Sequence, residues 1–321
     1  MKSFEELSVE FVARFKTRHF PAEPSSLYEP ADYFLGLGGK RIRPVICLMG
    51  NEMFDEIRED AFHVATAIEL FHNFTLIHDD IMDKAPLRRG MVTVHEKYGE
   101  STALLSGDVM LVFAYDYINR IAITHLHKII HLFNITAKQV CEGQQIDMDF
   151  ERRDQVSMAE YLHMIELKTS VLLASSLQMG AVLGGAGEGN QKHLYEFGKY
   201  LGLAFQVQDD YLDAFGDPAK FGKQVGGDIV ANKKTFLYVK TLETASQEQL
   251  RVLDQLKQAG QEEKIAKTLA IFTACGVDQW AKDLKQTYIE KALEHLEEVA
   301  VQSNRKLPIR QLAQLLVQRE Y

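Results

Sequence analysis

Two aspartate-rich segments constrain this chain more than any other feature, and the first lies at residues 71–83, FHNFTLIHDDIMD. If the apolar spacing makes this segment a helix, each residue turns about 100° and rises about 1.5 Å, so Asp79 and Asp83 project from one face a turn apart. Two such carboxylates can share a hard cation. The same geometry places His72 about 20° from Asp79, nearly two turns earlier. One face of the predicted helix therefore holds a metal site and a candidate anion donor.

The second segment, QVQDDYLDAFGD, repeats the pattern with Asp209, Asp210 and Asp213 after an apolar run at residues 201–207. Paired acidic residues on a helix usually lie on its solvent-exposed face. Like charges one turn apart destabilise a helix by roughly a few tenths of a kcal/mol. Because this repulsion between carboxylates occurs twice in the chain, we infer that bound cations compensate it. Mg²⁺ fits best, because it prefers oxygen ligands and is usually held by one or two carboxylates plus substrate phosphates. No histidine and cysteine cluster has zinc spacing.

The central segments of the chain are long and apolar on more than one side, without strict two-residue alternation. They are residues 60–83, 100–120, 127–150, 158–183 and 191–215. This pattern predicts core helices rather than strands, and helices of about 20 residues span about 30 Å, deep enough to enclose a pocket. We therefore expect an all-α fold, in which residues 1–321 form one large single-domain helical bundle with a central cavity. An opening helix over residues 4–15 and an outer layer of helices after residue 247 complete the prediction.

Charge and composition exclude several classes of protein. The net charge of −9 predicts no nucleic-acid partner, because such a surface repels phosphate backbones unless a basic patch is segregated. The three cysteines are widely spaced, which favours a reducing compartment over a disulfide framework. No apolar run of about 18 residues is present, and the first residues have no apolar signal region. We therefore expect a cytoplasmic protein without a membrane span.

Basic residues follow a glycine-rich turn at residues 36–39. Lys40 and Arg43 stand three residues apart at the start of the next predicted helix, which makes them neighbours on one face. An ammonium and a guanidinium in that arrangement can grip one diphosphate. From the residues alone, a solvated face is an equally good interpretation.

Further basic residues follow both aspartate segments. Pro86 ends the first aspartate helix, so we expect Arg88 and Arg89 to fold back near the carboxylates. Four glycines and a proline in the stretch beginning at residue 216 predict a mobile loop, and this loop carries Lys223 and Lys233. Such a loop can be a lid that closes basic groups over a diphosphate, or it can be a flexible connector.

Taken together, the motifs resemble those of a known family. GGKRIRP at 38–44, DDIMD followed by LRRG, GQQID at 143–147, LKTS at 167–170, and DDYLD followed by GD stand in the order found in trans-isoprenyl diphosphate synthases, the polyprenyl synthetase family. The resemblance implies the isoprenoid synthase fold. It also implies a short-chain prenyltransferase that condenses isopentenyl diphosphate with an allylic diphosphate by Mg²⁺-dependent ionisation, condensation and elimination.

The resemblance further implies roles for individual residues, which fall into three sets. Isopentenyl diphosphate would bind Lys40, Arg43, His72 and Arg89. Allylic diphosphate would bind Arg88, Lys168, Lys223 and Lys233, and the Thr169 carbonyl and the Gln206 amide would support the allylic cation. Three Mg²⁺ ions with bound diphosphate would be held mainly by Asp79, Asp83 and Asp209, with Asp80, Gln144, Asp147, Asp210 and Asp213 in outer or water-mediated positions. The departing diphosphate would take the final proton.

Product length is expected to depend on the residues that precede Asp79. Thr75 is small and leaves the first turn open, whereas Phe74 and Phe71 lie about 7.5 and 12 Å along the axis and can close the pocket. In this family an aromatic residue at the fifth position before the first aspartate resembles short-chain enzymes. We therefore expect C20 geranylgeranyl diphosphate, with C15 farnesyl diphosphate next. Both phenylalanines can instead be core residues, because Phe74 lies about 140° from Asp79.

Two other functions stay open from the sequence. A class I terpene cyclase also uses an aspartate-rich helix and Mg²⁺, but it needs no isopentenyl site. A non-catalytic subunit of a hetero-oligomeric prenyl synthase would be expected to lose carboxylates, and both aspartate motifs are complete in this chain. The family resemblance also implies a homodimer.

Overall fold

A computed structural model describes residues 1–216 and 226–317. Within those ranges every long element is a helix, and the strands amount to one antiparallel pair, β1 (Leu87–Arg88) with β2 (Met91–Val92). The expectation of an all-α fold is therefore confirmed. Among the described residues, none of the helices combines the length and the apolar character needed to span a lipid bilayer.

The helices follow the apolar segments of the sequence. In chain order they are α1 Phe4–Phe15, α2 Ser25–Gly36, α3 Ile42–Glu52, α4 Glu59–Met82, α5 Val94–Tyr98, α6 Glu100–Ile118, α7 Ile123–Glu151, α8 Met158–Ile165, α9 Val171–Leu183, α10 Glu188–Phe215, α11 Gly227–Val230, α12 Phe236–Thr244, α13 Gln247–Leu256, α14 Gln261–Ala274, α15 Val277–Glu298 and α16 Ser303–Val317. A π-helical turn, Glu166–Ser170, interrupts the single helix predicted over residues 158–183.

Capping residues begin several of these helices. At α1 the Ser3 side chain accepts a hydrogen bond from the Glu6 backbone N–H, and the Glu6 carboxylate accepts one from the Ser3 N–H. Ser157 and Glu160 form the same capping box at α8. Each box satisfies backbone donors that a helix start leaves without partners, so it fixes where the helix begins.

The chain divides into two compact units, each assembled from three separated segments. Unit 1 contains Met1–Phe133, Ser176–Gln191 and Val301–Ile309, and unit 2 contains Asn134–Ser175, Lys192–Ala300 and the described end of the chain from Arg310. In unit 1, α4 packs against α3 and α6, and in unit 2, α14 packs against α11, α12, α13 and α15. Each unit therefore carries one aspartate segment. A single domain with one central cavity remains a prediction.

Candidate active site

The first aspartate segment lies at the C-terminal end of α4, in unit 1. Asp79 is half-buried, Asp83 is the exposed C-cap residue, and its N–H donates to the Asp79 carbonyl over 2.8 Å. Asp80 is 1% exposed. Burial raises the pKa of the Asp80 carboxyl, and the Arg88 guanidinium opposes that rise. The middle carboxylate of the motif is thus directed inward, and the two outer ones lie on the more open side.

The β1–β2 hairpin returns Arg88 to the carboxylates, as the sequence predicts. Its Nε lies 2.7 Å from Asp80 Oδ1 and 2.9 Å from Oδ2, and its Nη2 lies 2.7 Å from Oδ1. Charge-assisted contacts of this kind are strong when one partner is buried. Arg88 therefore holds Asp80 in place before any ligand binds, which the sequence alone does not reveal.

Arg89 extends toward the glycine turn instead of the carboxylates. Its Nη1 donates to the Gly38 carbonyl. Gly39 has φ +141°, and a Cβ at this position would lie 3.0 Å from both terminal guanidinium nitrogens of Arg89. Glycine is favoured at position 39 because other residues are strained at this positive φ, and a side chain would also require the Arg89 guanidinium to shift.

A cluster of cationic side chains surrounds His72 in unit 1. The Arg43 Nη1 lies 3.2 Å from His72 Nε2. Burial, followed by Arg43 and Arg89, lowers the pKa of His72 well below its usual value, so the imidazole is neutral at pH 7. Its Nε2 then accepts from Arg43, and Nδ1 carries the proton.

Arg43 is the buried cation of this cluster that still has an unused hydrogen-bond donor. Burial lowers its pKa to about 10, which still leaves a cation at pH 7. Its Nε is buried and has no hydrogen-bond partner within the described part of the chain. A buried donor on a cation next to further cations is the arrangement that binds a phosphate-type anion. Lys40, at an exposed position before Arg43, completes the set predicted from the sequence.

A buried network behind this cluster was missed by the sequence reasoning. Arg41 Nη1 donates to Glu69 Oε1, and Arg41 Nη2 donates to the Leu35 carbonyl over 2.9 Å. Asn73 Nδ2 donates to the same Glu69 oxygen over 2.9 Å. The network fixes the glycine turn and its basic residues against α4. The available signal was Glu69 itself, because a carboxylate in an apolar helix is almost never buried without a partner.

The second aspartate segment lies near the C-terminal end of α10, in unit 2. Asp209 is exposed and Asp210 is 6% exposed. The Tyr161 hydroxyl lies 2.5 Å from Asp210 Oδ2, and Gln206 Nε2 donates to Oδ1 over 2.8 Å. Burial, followed by the charge of Asp228, raises the pKa of Asp210 to about 8. As in the first segment, the middle aspartate is buried and held by side chains, here by Tyr161, which the sequence reasoning did not identify.

Asp213 connects the second segment to the chain that follows residue 225. Its Oδ2 accepts a hydrogen bond from the Asp228 N–H over 3.0 Å, and its carbonyl accepts one from the Gly226 N–H over 2.6 Å. Lys233 follows α11 at an exposed position, with its Nζ 3.7 Å from Asp228 Oδ1. Asp213 thus positions the segment that carries Lys233. Lys223, predicted for the same loop, lies outside the described residues.

The π-helical turn carries the LKTS motif. Lys168 Nζ lies 2.5 Å from Asp147 Oδ2, and the Thr169 hydroxyl donates to Gln206 Oε1 over 3.2 Å. A Cβ added at Gly143 would lie 2.3 Å from the Lys168 backbone nitrogen, so α7 approaches the turn as closely as backbone allows. Single π-turns occur frequently at functional sites. This turn brings Lys168 of the predicted allylic set into contact with Asp147 of the predicted metal set, and it joins Thr169 to Gln206 within the allylic set. Gln144, also of the metal set, is buried one position after Gly143.

The predicted product-length residues lie in the interior of unit 1. Phe71 is 1% exposed, and its ring centroid lies 5.3 Å from that of Phe133 in an edge-to-face arrangement. Phe74 is half-buried, 4.7 Å from the His78 ring and 5.7 Å from Phe71. Thr75 donates its hydroxyl to the His72 carbonyl over 2.9 Å. Phe71 is therefore a core residue of unit 1, and Phe74 is the more accessible of the two rings.

The donor set of these segments fits a hard metal ion. Within the described ranges, no three carboxylate, histidine or cysteine side chains converge as a preformed metal cage. Mg²⁺ does not need such a cage, because it keeps several waters and is held by one or two carboxylates together with substrate phosphates. The outer carboxylates Asp79, Asp83 and Asp209 meet that requirement chemically.

Comparison with known proteins agrees with this chemistry. The polyprenyl synthetase family model matches residues 24–272. A geranylgeranyl pyrophosphate synthase of Geoglobus acetivorans is 38% identical over 302 residues, covering 93% of this chain and 92% of the relative. A short chain isoprenyl diphosphate synthase of Methanothermobacter thermautotrophicus is 36% identical over 299 residues, covering 93% and 92%. A crystal structure of a geranylgeranyl pyrophosphate synthase aligns over 100% of both chains with a TM-score of 0.94 and 43% identity.

The all-α fold, shared with that solved structure, is the fold of the isoprenoid synthases, a class of enzymes built entirely from helices. The chain belongs to the polyprenyl synthetase family. It is a prenyltransferase of that family, whose members are generally metal-dependent.

Proposed function

We propose that this short-chain prenyltransferase condenses isopentenyl diphosphate with an allylic diphosphate and releases inorganic diphosphate. The observation that carries the proposal is the cationic cluster of unit 1, where Arg43 has a buried Nε without a partner among the described residues, beside neutral His72. Isopentenyl diphosphate would bind there, together with Lys40 and Arg89. A terpene cyclase has no second diphosphate to bind, so this cluster favours the synthase.

In the proposed reaction, the C1–O bond of the allylic diphosphate breaks and its electron pair leaves with the diphosphate. The double bond of isopentenyl diphosphate then forms a new bond to C1, and the resulting cation loses a proton to the departing diphosphate. Arg88, Lys168 and Lys233 would stabilise the charge that develops on the leaving group. The Thr169 carbonyl and the Gln206 amide oxygen would stabilise the cation without trapping it, which the Thr169–Gln206 hydrogen bond supports.

Mg²⁺ is the metal we propose, as three ions with bound diphosphate. When bound, it would supply Lewis-acid stabilisation of the leaving diphosphate. Asp79, Asp83 and Asp209 would hold it directly, and the remaining residues of the predicted metal set would act through water. The exposed or half-buried positions of those three carboxylates, in contrast to buried Asp80, Gln144 and Asp210, support this division. Asp147 and Asp213 are half-buried, so their place in the second group rests on the family resemblance alone.

The proposed product is C20 geranylgeranyl diphosphate, with C15 farnesyl diphosphate as the second choice. The names of the relatives support C20, as does the single aromatic residue at the fifth position before Asp79. Phe74→Ala should lengthen the products, because removing the ring opens volume that a growing chain can enter. Product chromatography tests this, and an unchanged spectrum with activity retained would show that the floor of the pocket lies elsewhere.

A homodimer is also proposed, and the surface of α6 supports it. Leu104, Leu105 and Val112 are 48%, 56% and 57% exposed on this helix. Apolar side chains grouped on one exposed helix often mark an interface between protein chains. Sedimentation equilibrium at micromolar concentration should give a dimer, and Leu105→Asp should shift it toward monomer. A wild-type monomer would refute the proposal.

A cytoplasmic location is likewise proposed. Cys47, Cys141 and Cys275 are all free thiols, and Cys47 is buried. Free, widely spaced cysteines are typical of reducing compartments. Fractionation of cells that produce the full chain at native level tests the location, and recovery in a membrane or secreted fraction would contradict it.

One assay separates the proposed function from its alternatives. Purified protein is incubated with Mg²⁺, isopentenyl diphosphate and one allylic primer at a time, and products are resolved by chain length. We expect C20 product that depends on both substrates and on the metal. Consumption of the allylic diphosphate alone would indicate a cyclase, and no turnover without a second protein would indicate a non-catalytic subunit.

A further inference from the structure

Unit 2 contains a cavity of about 250 Å³ that shares one residue, Lys233, with the proposed allylic site. The other basic residues of its lining have no role in the proposed reaction. Its walls come from residues 151–154 at and after the end of α7, from residues 228–235, and from α12, α13 and α14. Of the residues that the structure describes, six basic and three acidic side chains line it, although the whole chain carries a net charge of −9. The local charge therefore has the opposite sign to that of the protein as a whole.

Two lysines give this cavity its chemical character. Lys264 is 6% exposed, and its Nζ donates to the Val230 carbonyl over 2.9 Å. Lys234 Nζ donates to the Phe150 carbonyl over 2.5 Å. An ammonium has three N–H donors, so these bonds leave up to two on each lysine for another acceptor. Desolvation is the main cause that lowers the pKa of both side chains. A bound anion would stabilise the charged form of each lysine and would raise these pKa values again.

Asp154 and Glu151 partly oppose the lowering of the pKa of Lys234, whereas no such carboxylate acts on Lys264 among the described residues. Lys257, at the same cavity, is paired at 2.8 Å with Asp254, and Arg153 is paired at 2.8 Å with Glu160. Desolvation alone lowers the pKa of Lys264, without a compensating carboxylate. A buried charge that rests on a carbonyl alone is costly, because a neutral acceptor replaces little of the hydration that the ammonium has lost.

We propose that this cavity is a second anion site, which binds a small phosphate-type anion through Lys264 and Lys234. Its volume lies below the range of about 300–1,000 Å³ of pockets for drug-sized ligands, which favours inorganic phosphate or diphosphate over a prenyl diphosphate. Both lysines also fasten the segment that carries Lys233, through Val230 and through Lys234 itself. An anion at this position would therefore act on the anchors of that segment.

Isothermal titration of the metal-free full chain with sodium diphosphate tests the site. Lys264→Met removes the inner ammonium and keeps an unbranched side chain of similar size. Lys267→Met is the matched control, since it removes one charge from an exposed position of the same helix, where Lys267 pairs with Glu263 at 2.5 Å. We expect wild type and the control to bind alike and Lys264→Met to bind at least about tenfold more weakly, the usual effect of a charged hydrogen bond.

Two further variants keep the test decisive. If Lys264→Met does not fold, Lys257→Met at the half-exposed wall of the cavity should still weaken binding several-fold. Arg43→Met reports on the proposed isopentenyl site. If this variant abolishes diphosphate binding and the cavity variants leave it intact, the proposal is overturned. Equal affinity in all cavity variants, or no binding by wild type, would overturn it as well. Adenosine diphosphate provides a separate arm: tighter binding than inorganic diphosphate assigns the site to an organic phosphate.

Discussion

Neutral His72 makes a prediction about stability and pH. Its pKa in the folded protein is lowered well below the usual value, so the folded state binds fewer protons than the unfolded state at acid pH. The stability contributed by neutral His72 is therefore present above the unfolded pKa of about 6.5 and is lost as the pH falls below it. His72→Gln removes the titration and keeps an oxygen that can accept from Arg43.

The magnitude follows from proton linkage. One proton is worth about 1.36 kcal/mol per pH unit, and an unfolded pKa of about 6.5 gives a loss of at most about 2 kcal/mol between pH 7.5 and pH 5.0, reached when folded-state His72 stays neutral over the whole interval. Wild type should lose that much more unfolding free energy than His72→Gln over this interval. Urea denaturation of both proteins at the two pH values measures the difference, without metal or diphosphate, which would add their own charges to the cluster.

His131→Gln, a substitution at an exposed position of α7, is the matched control. It should change the unfolding free energy by the same amount at both pH values. A His72→Gln difference that is independent of pH would refute the reasoning, since it would mean that the imidazole titrates equally in both states. A wild type that gains stability relative to the variant at pH 5.0 would mean that His72 is charged in the folded state.

Four further substitutions test the site. Asp79→Ala and Asp209→Ala should each lower kcat at least about hundredfold, because each removes a carboxylate proposed to hold metal at the ionising diphosphate; near-normal turnover would make the carboxylates a solvated face. Lys40→Ala should mainly raise KM for isopentenyl diphosphate in initial-rate assays, and equal effects on both substrates would contradict separate sites. Glu69→Gln should lower the unfolding free energy by about 3–5 kcal/mol in urea, because it leaves Arg41 as an unpaired buried charge; a loss below about 1 kcal/mol would show another partner.

The sequence predicts the long helices well because each carries enough turns for its apolar spacing to be read. Short elements carry no such period, so the β1–β2 hairpin and the α12 helix were missed. The break over Glu166–Ser170 was missed for another reason. A π-turn inserts one residue without changing residue types, and the close approach of Gly143 to Lys168 that accompanies it joins segments far apart in the chain.

The candidate site was predictable in its residue types and not in its pairings. Charge and motif order identify Asp80 and Arg88, and Pro86 predicts that Arg88 returns toward the carboxylates, but nothing in the spacing says which of the three aspartates it contacts. Tyr161 was not noticed because a tyrosine in an amphipathic helix is usually a core residue. Its hydroxyl contact with Asp210, 49 positions later, depends on the tertiary fold. Sequence periodicity predicts which residues are buried, but it does not predict which side chains contact each other.

Helix geometry explains why the middle aspartate of each segment is the buried one. Consecutive residues on a helix differ by about 100°, whereas residues four apart differ by about 40°, so adjacent aspartates must point to different sides. Asp80 lies inward on Arg88, and Asp210 lies inward on Tyr161. One carboxylate of each pair thus fastens the helix end within its own unit, and its neighbour remains on the more open side, which is where the proposed metal ion would have to bind. Adjacent aspartates in these segments therefore occupy two different environments, one buried and one accessible.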